Sequence, residues 1–359
     1  MDFHADKLGS DSGAVYLLHG SHAVQREEVK GARGLSGGSF MDRKQRNRVG
    51  FSVSYHGLLA AIVFAGICLS GLNSCKNNTA GVESGEKPRY IRIAAGPGHT
   101  IALKQDGSLA AWGSNIFHET DVPVGRDFVA ISAGACHSIA LKADGSLVGW
   151  GSNTQGEIDV PPGHDFIAIA AGAGHTIALK KDGSLAGWGA GDTSARETLN
   201  QGQSIVPPGD DFIAIAAGGF HSLAIKSDGT IMAWGAGAAG DTGEMNYGQS
   251  IVPNEKDFIG ISAGWFHSVG LKRDGSLAAW GCNEDGQAIV PSGNDFIAIA
   301  SGERHNLALK KDGSIVAWGR SLEGQANVPS GHDFIAVAAG GNRSYALKQD
   351  GSLAAWGQE

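Results

Sequence analysis

The sequence predicts an all-β fold, a seven-bladed β-propeller of four-stranded blades, and three observations lead to it. One unit is written seven times between residues 82 and 359. Each unit carries two short apolar runs joined by Asp-Gly, a strong hairpin signal because glycine accepts positive φ without a Cβ clash. Glycine is also in excess, 56 of 359 residues, about twice the usual share. Hydrophobic residues make up 42% and charged residues 18%. That balance gives a packed core rather than disorder, and units near forty residues point to a ring of blades.

The repeat reads G-x-x-H-[STN]-x-A-L-K-x-D-G-S-L-x-x-W-G. Its opening glycines are Gly96, Gly134, Gly172, Gly218, Gly264, Gly302 and Gly340, at spacings of 38, 38, 46, 46, 38 and 38. His follows in six copies, at His99, His137, His175, His221, His267 and His305, and Arg343 stands there in the seventh. A tryptophan always comes 13 residues later, from Trp112 to Trp356. All length variation therefore falls after the tryptophan, which marks a fixed core with variable loops.

Within a unit, 165–172 is a continuous apolar run with small residues, suited to burial on both faces. His175–Lys180 and Ser184–Trp188 alternate around the turn at Asp182-Gly183. A fourth, outer strand is expected at the Val-Pro segments, such as Val160-Pro161 and Val206-Pro207, where a missing N–H would be harmless. A lone blade cannot bury its faces, so blades must pack in a ring. Closure is expected from residues near 82–95 pairing with the last repeat, which removes the open edge.

Residues 1–40 show no helical or strand period and read as a disordered or mis-assigned leader, with Met41 as the natural start. A basic cluster, Met41–Arg48, precedes the uncharged apolar stretch Gly57–Leu72, and Asn73-Ser74-Cys75 follows. This is the layout of a secretory signal. Cys75 is placed like the lipidated cysteine of a bacterial lipoprotein; an uncleaved membrane anchor is the alternative. Residues 41–75 are thus a signal or anchor, 76–81 a linker and 82–359 the propeller. The expectation is an exported protein, tethered at the membrane through this segment alone and facing the periplasm or cell exterior. Residues 1–74 hold 8 of the 28 basic and 6 of the 36 acidic side chains, which leaves 20 against 30 and a net −10 for the rest. That argues against a nucleic-acid partner.

The pattern resembles the repeat of the regulator-of-chromosome-condensation family across all seven copies. The Asn283-Glu-Asp-Gly286-Gln287 stretch is similar to the short bacterial form, which includes a secreted β-lactamase-inhibitory propeller. The resemblance implies the propeller fold and, through the inhibitory relative, inhibition of a secreted enzyme as an alternative role. The eukaryotic namesake, a nucleotide exchange factor for a small GTPase, has longer repeats and segments not found here. WD-type repeats need two further strands between His and Trp, and 13 residues leave room for one hairpin.

No catalytic constellation stands out, so no enzyme, cofactor or metal is expected. The six histidines repeat around a ring, with blades on the order of 10 Å apart, whereas Zn–N bonds are about 2 Å. Their expected role is a hydrogen bond to the neighbouring blade's backbone. Cys136 and Cys282 fall in copies two and five and read as separate thiols. What remains is departure from the repeat. After the opening glycine, copies four and five place Phe220, Trp265 and Phe266, copy six Arg304 and copy seven Arg343. Aromatic residues beside arginines are typical hot-spot material. Copies three and four also carry eight-residue extensions, within 190–204 and 236–250, in adjacent blades. The expected function is a monomeric, non-enzymatic scaffold that recognises a protein or other macromolecule through this face. An inhibitor of a secreted enzyme is the alternative; exchange-factor or carbohydrate-active roles rank behind.

Mass spectrometry of the protein from its host tests the leader reading. A chain that begins at Cys75 and carries a lipid mass is expected, and an unmodified thiol in the soluble fraction would contradict it.

Overall fold

In a computed structural model of the chain, residues 14–15, 88–191, 200–240, 243 and 245–358 are described. The expected leader, signal, Cys75 and linker lie outside them, apart from a two-residue strand, Ala14–Val15, that pairs with Ser262 and Ala263. No helix among the described residues is long and apolar enough to cross a membrane.

Each repeat forms one antiparallel sheet. In blade 3 the inner strand is Phe166–Ala171, the middle strand His175–Lys180 and the outer strand Leu185–Gly189. The inner strands of blades 1 to 7 begin at Tyr90, Phe128, Phe166, Phe212, Phe258, Phe296 and Phe334. Each touches the inner strands on either side, and that of blade 1 touches blade 7, so seven sheets close a ring. Small residues such as those of Phe166-Ile-Ala-Ile-Ala-Ala suit the crowded centre, where blades converge. The tryptophans sit on outer strands, where the wedges widen.

Each repeat gives three strands, not four. The Val-Pro segments stay out of the ladder: proline offers it no N–H, and in three of the six the valine N–H is used within its own segment. Val122, Val160 and Val328 each donate their N–H to the carbonyl two residues earlier. The valines pack instead. Val122, Val160, Val206, Val252, Val290 and Val328 each cover one of six inter-blade cores. Tyr90–Ala95 belongs to blade 1's own sheet and meets blade 7 face to face, with Tyr90 N–H donating to Gly351 at 3.2 Å. Residues 82–87, expected to complete the last blade, lie outside the described residues.

The blades are held together by a hydrogen-bonded latch. The linker after each of blades 1 to 6 contains a buried Glu or Gln: Glu119, Glu157, Gln203, Gln249, Gln287 or Gln325. Its carbonyl accepts the indole N–H of the next blade's tryptophan at 2.8–3.0 Å. In the last five, the same carbonyl also accepts from Thr176, Ser222, Ser268, Asn306 or Ser344. The histidine of the previous blade meets that same side chain through Nε2, as His175 meets Ser222 at 2.9 Å. The histidines therefore reach the neighbouring blade, but through its side chains rather than its backbone. Asn306 fixes the tautomer. Its amide donates to Gln287, so its oxygen accepts from His267 Nε2–H.

Each imidazole lies against its opening glycine. A Cβ on Gly172 would come 2.2 Å from His175 Cε1 and 2.6 Å from the carbonyl of Gly218. Only glycine lets ring and neighbouring blade approach this closely. All six histidines are buried, and Nδ1 of each has no hydrogen-bond partner among the described residues. Burial pushes the imidazoles of His137, His175, His221 and His305 down to about 3, and those of His99 and His267 to about 4.

An acid-sensitive fold follows. Unfolded, each histidine titrates near ~6.5; folded, it resists the proton to about 3 or 4. Stability should be level above ~6.5 and fall as pH drops from there towards ~4, by at most about 2 kcal/mol per imidazole at pH ~5. Denaturant melts across this range should show the fall, with a slope smaller by about one proton in His175→Gln. Stability unchanged down to pH ~4.5 would contradict it.

Candidate binding face

The turn after each opening glycine, the end of each outer strand and the start of each linker lie on one face of the ring. Backbone hydrogen bonds tie them, as in Ala190 N–H to Gly174, Ala236 to Phe220, Cys282 to Phe266 and Arg320 to Arg304. The Asp-Gly turns lie at the other ends of the same strands. There Asp182 accepts from the backbone and hydroxyl of Ser184, while Lys180 pairs with Asp165 and rests over the Phe166 ring. That opposite face repeats from blade to blade; the face with the variable turns does not.

Three of the five residues singled out by sequence come together. The Phe220 and Trp265 rings meet edge to face, with centroids 5.2 Å apart. Phe266 stacks on Phe220 at 5.9 Å and meets Trp265 at 5.7 Å. Phe220 and Trp265 are buried, and with Ala236 they form a small core over which Met245 and Phe266 pack. Tyr247 lies 4.9 Å from Phe266 and is 40% exposed. Met245 and Tyr247 belong to the blade 4 extension. The aromatic turn of blade 5 thus anchors that loop, and Phe266 and Tyr247 carry what remains open to solvent.

Arg304 and Arg343 sit one and two blades further round. Arg304 is one-third exposed and reaches Asp285 at 3.2 Å and Glu284 at 3.6 Å. Partial burial opposes its charge, but the hydrogen bond and charge of Asp285 outweigh this and raise its pKa. Beside it, Arg320 holds Glu323 at 2.8 Å. That bond lowers the Glu323 carboxyl to about 2. Arg343 begins the middle strand of blade 7 and is half-buried. Sequence reasoning missed Tyr247, Arg320 and the acidic partners. The signal for them was present in the linkers, since Glu284-Asp285 and Arg320 depart from the repeat just as Arg304 does.

Among the described residues no group of three or more His, Cys, Asp or Glu could hold a metal ion. Cys136 and Cys282 lie in blades 2 and 5 and form no disulfide among the described residues.

The fold and this face define a propeller scaffold whose repeated residues join blades and whose unrepeated residues gather at one surface. The pattern described as the Regulator of chromosome condensation (RCC1) repeat matches residues 90–119, 128–157, 166–193, 212–241, 258–287 and 296–325, and the chain belongs to that family. The seventh copy, with Arg343 and Tyr345, lies beyond those matches yet forms a blade of the same kind. No curated protein matches by sequence. Similar solved structures include the ectodomain of the Physcomitrella patens receptor kinase CR4, at 20% identity and TM-score 0.62 over 76% of this chain and 74% of that one. Prp20p from Saccharomyces cerevisiae is 18% identical, with TM-score 0.58 over 75% and 83%. Yeast RCC1 (Prp20) in complex with Kap60 gives 21% and 0.54 over 64% and 70%. At these identities the likeness is one of fold.

If the blade 5 aromatics anchor the blade 4 extension, Trp265→Ala should free it. Limited proteolysis should then cut within 236–250 at least about tenfold faster, at an opening cost of about 2–3 kcal/mol. An unchanged cleavage rate would contradict the anchoring.

Proposed function

We propose that the chain is a non-enzymatic, protein-binding scaffold that takes its partner on the face of variable turns. One observation carries this reading. The repeated His, Ser/Thr/Asn, Trp and Glu/Gln side chains are consumed in holding blades together, and the exposed side chains that break the repeat converge on one side. Tyr247 and Phe266 supply aromatic area there; Arg304, Arg320, Glu284 and Glu323 supply charge of both signs. Loops on a rigid scaffold are where recognition usually resides. The relatives lend support, since Prp20p is described with binding properties towards Gsp1p and histones, and yeast RCC1 is bound by Kap60. The net −10 of residues 75–359 disfavours nucleic acid as the partner. The Met41–Cys75 segment places the scaffold outside the cytoplasm in this reading, tethered at its N-terminal end.

Cross-linking in the native host, followed by identification of the linked protein, supplies the partner. Tyr247→Ala with Arg304→Glu should then weaken binding at least about 30-fold, the loss expected when a central aromatic and a charged anchor go together. The thermal melt should stay unchanged. An unaltered affinity would overturn the assignment of the face.

A further inference from the structure

The Asp-Gly turns do more than close hairpins. The Gly183 carbonyl accepts the N–H of Phe212, the first residue of the next blade's inner strand, at 3.1 Å. The same bond recurs at all seven junctions, from Gly107 with Phe128 to Gly351 with Tyr90. Glycine cannot be exchanged in such a joint. Gly183 takes φ of 84°, and a Cβ on it would collide with the carbonyl of Asp210, just before that strand.

Asp followed by Gly is open to a covalent rearrangement, because glycine has no side chain to shield its nitrogen. The Gly183 nitrogen would lose its proton and bond to Asp182 Cγ, and the carboxyl hydroxyl would leave as water. Solvent water then opens the five-membered imide. Opening at the former main-chain carbonyl leaves isoaspartate, in which the chain runs through Cβ and Cγ and is one atom longer. That atom would carry the Gly183 carbonyl away from Phe212. Closure runs through the protonated carboxyl, because a carboxylate has no hydroxyl to release.

Both reacting groups are held in this fold. The Gly183 N–H donates to the Lys180 carbonyl at 3.0 Å. Asp182 Oδ1 accepts the Ser184 hydroxyl at 2.7 Å and the Ser184 N–H at 2.9 Å. These two bonds hold the Asp182 carboxyl below its usual range, which thins out the form that cyclises. The hydroxyl stands two residues after the aspartate in every copy, as Thr230 in blade 4 and Ser in the other six, at 2.6–2.7 Å. The turn itself does not demand it, since the backbone N–H of any residue at that position closes the same Asx turn.

We propose that this hydroxyl is a chemical guard: bound to the aspartate of each Asp-Gly turn, it slows isoaspartate formation at the seven joints between blades. The guard lies on the face opposite the variable turns, and it stands or falls apart from the role of that face.

The test ages the full chain at pH ~7 as wild type, Ser184→Ala and Ser184→Thr. Peptide mapping with electron-transfer fragmentation reads isoaspartate at each turn. Ser184→Ala should raise the rate at Asp182 about three- to tenfold, the gain in protonated carboxyl expected when an exposed carboxylate loses one hydrogen bond. The other six turns should keep the wild-type rate, and Ser184→Thr should keep it at Asp182, as Thr230 serves blade 4. Amide exchange at Gly183 separates guarding from a loosened turn, and in Ser184→Ala it should stay within about twofold of wild type. An unchanged isoaspartate rate in Ser184→Ala, or a rise matched by equally faster Gly183 exchange, would overturn the proposal.

Discussion

One backbone carbonyl at each of six blade junctions holds this ring together. A propeller blade presents two apolar faces and two sheet edges, and neither is stable alone. Apolar contact joins the faces without fixing their angle. The carbonyl of the linker Glu or Gln supplies the direction, because it takes the next blade's indole and, in five linkers, a polar side chain as well. That second donor in turn accepts from the previous blade's histidine. Each link involves a buried polar group whose loss would leave others unpaired, and such networks set one geometry rather than many.

Function is confined by what this network uses. Histidine is the residue most readily turned to catalysis or metal binding, yet here it is dry, neutral and bound to a neighbour's side chain. Burial holds it far below its ordinary titration range. Six of the eight tryptophans are consumed in the same way. The free chemistry of the chain is thus pushed to the linkers and turns, where the blade 4 extension is pinned by Phe220 and Trp265 and the Arg304 and Arg320 ion pairs stand at blade 6. That distribution supports the proposed role in recognition.

The repeat was plain in the sequence because a fixed 13-residue spacing between His or Arg and Trp survives every change in loop length. The number and order of blades followed from it. The fourth strand was misread because Val-Pro looks like an edge strand, whereas the N–H of Val122, Val160 and Val328 turns back on its own segment. The latch went unseen, although a second constant was there: each linker Glu or Gln lies 31 residues before the tryptophan it holds, even where the loop is longer. The extra residues of copies three and four therefore enter before the Gln, not after it. Of the site, the aromatic turns and arginines could be named from sequence, but not their burial. Only packing shows that Phe220 and Trp265 face inward on a loop, and that Tyr247, from the loop, reaches solvent instead.

The most direct test of the latch is hydrogen exchange of the indole N–H groups at neutral pH. The six latched tryptophans, Trp150, Trp188, Trp234, Trp280, Trp318 and Trp356, should exchange only through rare opening of the ring, at least about a hundredfold slower than a free indole. Exchange at these six as fast as that of a free indole would contradict the account.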